Sequence, residues 1–525
     1  MPVEWAQATC MSDVPIRAAA DPPILVAGAT GYVGGRLIPE LLDDGHVVRA
    51  LARQPAKLDG RSFAGHERLQ VVAGDVLDRA SLDEAVAGVR IAYYLVHSLG
   101  VGRHFANADV VGARTFGAAC AAAGVERIVY LSGLGDDEDP GGLSEHLRSR
   151  HATGDALRES GVAVTELRAA IIVGSGSASF EMIHDLARRL PLMLTPRWVR
   201  SRCEPIAIRD VTWYLRAVLD EPRTIDATLE IGSGNIHTYE DLLRICAEEL
   251  GLPFRNVTVP ILSPTVSSYW IHLVTSVDRD VARPLVEGLR NDVVCTDLRI
   301  RTWLPRELSS YRVSVRRALA KRVAPTVRES RWSDAQRRPL PRSGTFGRGG
   351  LMPVLRPTRV RLWPRREEFR DYRTFDTDLA PDEVFGRITR IGGPNGYGPR
   401  ADPLWRLRGW LDRVWGGPGL RRGRPFGGEL HVGDAVDWWR VERITHGRQL
   451  RLVAEMLVPG VARLDFRIEP LPGGGSRLHQ LASLSNGSLW SGLYWLAIEP
   501  IHDAVFEQLG RHLLGDAPVR SITER

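Results

Sequence analysis

Residues 24–53 read ILVAGATGYVGGRLIPELLDDGHVVRALAR, and this stretch decides the fold. An apolar run (Ile24 to Ala29) leads into Gly28-Ala-Thr-Gly31-Tyr-Val-Gly34. A helix is expected from Val33 to Leu42, Gly45 sits where it should stop, and a second apolar run, Val47 to Ala52, follows. Each glycine has a steric task. The first permits the tight turn, the middle one lets backbone approach phosphate, and the last lets helix pack closely on strand. The free N–H groups and dipole of the helix N-terminus would then face an anionic pyrophosphate. A glycine triplet alone is weak evidence, but strand, turn, helix and second strand in order within about 30 residues supply the confirming context. The stretch therefore reads as a dinucleotide-binding turn, with Gly28, Thr30, Gly31, Tyr32, Val33 and Gly34 against the cofactor.

One residue type refines this reading. Where an acidic side chain would hold the ribose 2′-hydroxyl of NAD, the second run ends Arg49-Ala-Leu-Ala-Arg53-Gln-Pro, without a carboxylate. A guanidinium at Arg53 suits the 2′-phosphate of NADP, so NADP(H) is favoured over NAD(H). Asp75 and Val76, in Ala-Gly-Asp-Val after the third run, are placed to meet the adenine edge.

Outward from the turn, short apolar runs alternate with amphipathic segments up to about Ala170: VVRALA, LQVVAG, IAYYLVH, RIVYLS and VTELRAA follow the first run. Such alternation predicts α/β architecture, a parallel sheet of six strands with crossover helices. Ser81-Leu-Asp-Glu84 has the spacing of a capping box and predicts a helix start. The chain divides into an N-terminal extension (1–22) expected to be disordered, a Rossmann domain (23–175), a small substrate-side lobe (176–317), a basic Pro-rich linker (318–368) and a C-terminal α+β domain (369–525). In the last of these, Leu464, Phe466 and Ile468 alternate with charged residues, as in half-buried antiparallel strands. A final helix is expected from Pro500 to Leu514, with Ile501, Val505, Leu509 and Leu513 on one stripe.

Composition narrows the function classes. At 525 residues and 58.1 kDa the chain holds two or three domains. Its net charge of +6 is local, because fourteen basic and four acidic residues fall between Lys321 and Arg370. No groove-reading motif accompanies that cluster, so no nucleic-acid partner is expected. The five cysteines are widely spaced with no C-x-x-C pair, which predicts small buried thiols and no metal. The N-terminus lacks the basic and apolar regions of a secretory signal, and Met11 serves as a start as well as Met1. A cytoplasmic location is expected. Nine of the fourteen tryptophans follow residue 330, a density that suits core packing, a greasy cavity or peripheral contact with the inner face of a membrane.

With GATGYVGG, VRALAR, AGDVLD, YLSGLG, LRAAIIVGSGSASFE and EPIAIRDV in view, the first 310 positions resemble the atypical short-chain dehydrogenase/reductase family in its NmrA-like branch, near the Rossmann accessory subunit of respiratory complex I. IGGPNGYG, LWRLRGWLDRVWGGPGLRRGR and SGLYWLAIEPIHDAVFEQL resemble bacterial proteins that join such a domain to a C-terminal domain of unknown function. The order of elements there resembles a helix-grip (START-like) fold, whose relatives hold hydrophobic molecules. The resemblance implies hydride transfer aided by a Tyr-x-x-x-Lys pair and a serine after the fifth strand. Here the pair is absent: the only lysines, Lys57 and Lys321, are preceded at four residues by Arg53 and Arg317. Ser132 remains, and His146 with Arg150 one helical turn on mimics the missing spacing. Histidine would act as general acid near neutral pH and arginine would fix the nicotinamide ribose. Arg168 and Gly174-Ser-Gly-Ser177 follow the sixth run, where the nicotinamide end should emerge. The leading expectation is an NADP(H)-dependent oxidoreductase acting on a small hydrophobic molecule such as a quinone, enone or lipid. The competing one is a non-catalytic NADP(H)-binding redox sensor or assembly factor.

Overall fold

The structure, a computed structural model, describes residues 22–97, 105–135, 144–259 except 191, 274–323 except 278 and 289–291, 330–334, 368–485 except 400, 421 and 426–428, 489–515 and 520–524. Almost all of the N-terminal extension, and of the linker beyond residues 330–334, lies outside these.

Strands β1 (Ile24–Ala27), β2 (Val48–Ala52), β3 (Leu69–Ala73), β4 (Ile91–Tyr94), β5 (Arg127–Gly133), β6 (Ala163–Ala169) and β7 (Thr228–Ile231) form one sheet in the order β7-β6-β5-β4-β1-β2-β3. Every pairing is parallel, for example Ile24 with Val48 on one side and with Ile91 on the other. The order reverses between β1 and β4, and in doubly wound sheets ligands bind in the crevice at that point. Six strands were expected; β7, a lone strand of the substrate-side lobe in sequence, is the seventh, because Thr228 to Ile231 find an unpaired edge on β6.

Alternation along β1 shows why both faces need cover. Ile24 and Val26 pack with α1 (Gly34–Asp43), whereas Leu25 and Ala27 pack against α2 (Arg79–Val86), α3 (Phe105–Ala122) and α4 (Glu145–Arg158). α2 corrects an expectation, since its N-cap is Asp78, whose carboxylate accepts from Ala80 N at 3.2 Å. Ser81 instead donates to the Asp78 carbonyl at 2.9 Å. The aspartate three residues earlier reaches the free N–H groups first. Beyond β6, α5 (Ala178–Arg189), α6 (Ile208–Ala217) and α7 (Tyr239–Glu249) follow, and α8 (Tyr311–Val323) runs across the boundary expected at residue 318. α5, α7 and α8 share a third core around Phe180, Leu242 and Tyr311. Cys120, Cys203, Cys246 and Cys295 are free and buried.

The C-terminal part is a separate antiparallel sheet. Strands β8 (Glu368–Thr377), β9 (Ala435–Val436), β10 (Trp439–Thr445), β11 (Gln449–Ala454), β12 (Val461–Pro470), β13 (Ser476–Ser485) and β14 (Arg520–Glu524) lie in the order β9-β10-β11-β12-β13-β8-β14. Leu464, Phe466 and Ile468 turn inward as their alternation requires. Helices α9 (Pro381–Ile388), α10 (Ala401–Val414) and α11 (Leu489–Leu514) complete the domain, and Val505, Leu509 and Leu513 lie in its core. α11 starts eleven residues earlier than the expected Pro500. A proline removes one helical hydrogen bond at a cost of about 3 kcal/mol, which tertiary packing such as the Phe369–Trp495 stack at 5.8 Å helps to offset.

Candidate functional site

The glycine turn has the geometry its spacing predicts. Gly28 adopts φ +95°, a conformation open to glycine, and a Cβ there would lie 2.7 Å from the Leu95 carbonyl oxygen. At Gly34 a Cβ would lie 2.3 Å from the Gly28 carbonyl oxygen, so α1 can approach β1 only without a side chain. Gly31 N closes the turn on Gly28 O at 2.9 Å. The N-cap of α1, Val33, offers no side-chain acceptor, and the first turn of α1 carries no acidic residue. Gly35 N and Arg36 N are taken by the carbonyls of Gly31 and Val33 at 3.0 Å, but no side chain caps the helix end, and the cradle fits a dinucleotide pyrophosphate. Thr30, Gly31, Tyr32 and Val33 line the rim half-exposed.

Around this turn the other expected residues divide. Arg53 is exposed directly after β2. Asp75 is half-buried after β3, with its carboxylate accepting from Leu77 N at 3.1 Å, beside Val76. Arg168 does not stand open: its guanidinium bonds Glu166 at 2.9 Å, and that fully buried carboxylate also takes Arg158 at 2.8 Å.

Ser132 on β5 and His146 and Arg150 on α4 lie together where β4 and β5 end. Ser132 is buried, and its hydroxyl has no hydrogen-bond partner of good geometry among the described residues. Arg150 reaches back from α4 to the carbonyls of Val96, at 3.3 Å, and Leu131, and lies 4.9 Å from the centre of the Tyr130 ring. Tyr130 returns a hydrogen bond to the Arg150 carbonyl at 2.8 Å. Arg150 therefore ties the exits of two strands to one helix.

The sequence reading missed His97. It follows β4 and stands within electrostatic reach of both Arg150 and His146. Its place at the C-terminal end of a central strand, where such sheets bind ligands, was the available signal. Desolvation in the crowded cleft, then the Arg150 charge and His97, push His146 down to about 3. His97 is held low by the same surroundings and by Arg150. Against the expectation of an imidazole titrating near neutral pH, these surroundings favour the neutral ring.

The structure also places a strap where the sequence showed only a linker. Ser330 to Asp334 runs between the glycine turn and the C-terminal domain, and Ser330, Ser333 and Asp334 are buried. Arg36 donates to Ser330 O at 2.7 Å and to Ser175 O at 2.7 Å, with its guanidinium 4.4 Å from the Tyr32 ring centre. Arg61 bonds Ser330 Oγ at 3.0 Å and the Asp334 carboxylate at 2.8 Å, and Lys57 donates to Asp334 O at 2.9 Å. Burial, then the Arg440 charge, push Lys57 down to about 8 against the opposing pull of Asp334. From the other side, Arg440 donates to Ser333 O at 3.0 Å and Arg331 donates to Arg424 O at 3.2 Å. A Cβ on Gly35 would lie 1.9 Å from Ser330 Oγ, so the second glycine of the Gly34–Gly35 pair makes room for the strap. The Gly174–Ser177 turn serves it too, because Gly176 O accepts from Trp332 N at 2.9 Å.

Comparison with known proteins gives two separate matches. Residues 28–185 match a family model described as NAD(P)H-binding, and residues 363–509 match one described as a protein of unknown function (DUF2867). Among curated proteins, ceramide reductase of Caulobacter vibrioides is 27% identical over 244 residues, covering 45% of this chain and 73% of that protein. The (4-alkanoyl-5-oxo-2,5-dihydrofuran-3-yl)methyl phosphate reductase of Streptomyces griseus is 35% identical over 145 residues, 28% of this chain and less than half, 46%, of that protein. Among solved structures, Citrobacter sp. triphenylmethane reductase complexed with NADP(H) superposes with a TM-score of 0.47 at 19% identity, over 56% of this chain and 99% of that one. The chain therefore carries an NAD(P)H-binding Rossmann domain, with homologues of short-chain dehydrogenase/reductase type, and a separate C-terminal domain that matches a family of unknown function.

Proposed function

We propose that the protein is an NADP(H)-dependent oxidoreductase that reduces a small hydrophobic carbonyl or conjugated compound, of the quinone, enone or lipid-like class. The observation that carries this reading is the convergence of Ser132, His97, His146 and Arg150 at the ends of β4 and β5, beside the glycine turn. When bound, NADPH would supply the hydride. Ser132 has a buried hydroxyl free to donate to a substrate oxygen, and His146 and His97 add neutral N–H donors at the same end of the sheet. Arg150 sets a fixed positive charge beside them, which favours negative charge developing on that oxygen. Preference for the 2′-phosphate rests on Arg53, exposed after β2 with no carboxylate from Ala50 to Gln54. Reductases among the similar proteins support the reaction type.

A second reading is favoured by the strap. Because Ser330 packs on Gly35 and bonds Arg36, movement of the glycine turn on cofactor binding would be felt by the C-terminal domain, as a non-catalytic NADP(H) sensor requires. One experiment separates the two. Purified full-length protein is incubated with NADPH and a panel of quinones, enones and aldehydes while loss of NADPH absorbance is followed. Turnover with any class, lost in Ser132→Ala, is expected. Tight NADPH binding without turnover of any of them would sink the enzyme reading and leave the sensor.

A further inference from the structure

Helix α10 carries its apolar side chains on two faces. Trp405 turns inward, 5.1 Å from Trp438 and 6.1 Å from Phe506 between ring centres. Leu404, Leu407 and Trp410, at three-residue spacing, face solvent at 41%, 56% and 60% exposure, and Trp415 just beyond the helix is 55% exposed. Such residues normally seek cover, and a contiguous set on one surface marks an interaction site.

The start of α11 extends this face. Gly398, just before α10, lies against His512, and Trp405 lies against Phe506, so the two helices run antiparallel. Ten residues onward from Trp405 and ten back from Phe506 cover about the same 15 Å of helix, which brings Trp415 to the end that holds Leu493 and Leu496. These two are 50% and 62% exposed.

Among the described side chains, the exposed charge on this face is positive. The acidic residues of α10 are turned inward: Asp402 accepts from Tyr397 N at 2.7 Å, and Asp412, fully buried, accepts from Leu457 N at 2.7 Å and Gly419 N at 3.0 Å. Arg406 is exposed between Leu404 and Leu407, and Arg408 is half-exposed. The outward surface is therefore leucine, tryptophan and arginine. Indoles favour the boundary between lipid headgroups and acyl chains, and arginine favours anionic headgroups. A second copy suits it less well, since a twofold contact sets like on like and would bring the arginines of the two copies together.

We propose that the outer face of α10 and the start of α11 form a foot that docks on a bilayer surface containing anionic phospholipid, without crossing it. Among the described residues no helix is long and apolar enough to cross a membrane. The surface is separate from the cofactor site, so this proposal stands or falls apart from the proposed reaction.

The test is co-sedimentation of the full-length protein with vesicles of phosphatidylcholine alone and of phosphatidylcholine with phosphatidylglycerol. Binding to the second, at least tenfold tighter than to the first and weakened by salt, is expected. The double variant Trp410→Ser/Trp415→Ser should lose at least tenfold of that binding, and Arg406→Glu several-fold. Both act on exposed side chains, so their circular dichroism and NADPH affinity should match the unmodified protein and separate loss of docking from loss of fold. Absence of vesicle binding, or binding that the double variant retains, would overturn the proposal. So would sedimentation-velocity evidence of self-association abolished by the same substitutions, which would give the face to a second copy.

Discussion

The cleft at the ends of β4 and β5 and the strap interface beside the glycine turn are both rich in cations, yet they use them in opposite ways. At the strap, Arg36, Lys57, Arg61 and Arg440 each donate to a named carbonyl, hydroxyl or carboxylate. Nearby, burial works against the charge of Glu455, but Arg440 and Arg422 hold its carboxyl well below the usual carboxylate range. In the cleft, Arg150 is anchored on strand carbonyls, but the buried Ser132 hydroxyl has no hydrogen-bond partner of good geometry among the described residues. Polar groups bonded across two segments hold the structure together; a buried hydroxyl without such a bond can meet a ligand.

Four substitutions would break or sharpen that contrast. The largest effect is expected at Gly34→Val, whose Cβ would meet the Gly28 carbonyl 2.3 Å away. NADPH affinity by titration calorimetry should fall at least 100-fold, and retained affinity would show that the turn is not the cofactor cradle. Next is Arg61→Ala at the strap, which leaves Asp334 buried without its 2.8 Å partner. Removing one member of a buried pair costs about 3 kcal/mol, so the denaturation midpoint should drop clearly while NADPH affinity holds. Arg79→Ala, at the exposed Arg79–Asp83 pair, should cost roughly 0.5 kcal/mol or less, and equal losses at the two sites would erase the distinction. The smallest effect belongs to pH. The folded value of His146, about 3, lies below the ordinary value of about 6.5. The unfolded chain thus takes up the proton first, and stability falls as pH drops from about 6.5 toward about 3. His146→Asn should narrow the loss of melting temperature between pH 7 and pH 5; an unchanged loss would mean that His146 titrates normally.

How far these regions could be read in advance differs. The glycine turn was legible because its constraints are local: Gly28 and Gly34 act on atoms within a few residues or on the next strand. The alternation of Leu464, Phe466 and Ile468 was legible for the same reason, a two-residue period that needs no knowledge of the partner strand. Ser132, His146 and Arg150 could be nominated by spacing, but their meeting with His97 depends on β4 lying beside β5. The downward push on the His146 pKa was not legible, because desolvation is set by how the chain packs around the ring. Two boundaries slipped where tertiary contacts outweighed local signals, at Asp78 in α2 and at Pro500 inside α11.

From the sequence alone came the parallel α/β sheet, the nucleotide turn with Arg53 behind it, the absence of the usual tyrosine–lysine pair and the antiparallel second domain, since each is written in spacing, residue type or short-period patterning. Only the tertiary structure decided that Ser330 to Asp334 is a buried strap and that Gly35 is kept small for it. It alone divided the tryptophans between a packed interior around Trp438 and an exposed face at Trp410 and Trp415. Those are outcomes of which surfaces meet, and burial and charge pairing between segments hundreds of residues apart become defined only when the chain is closed upon itself.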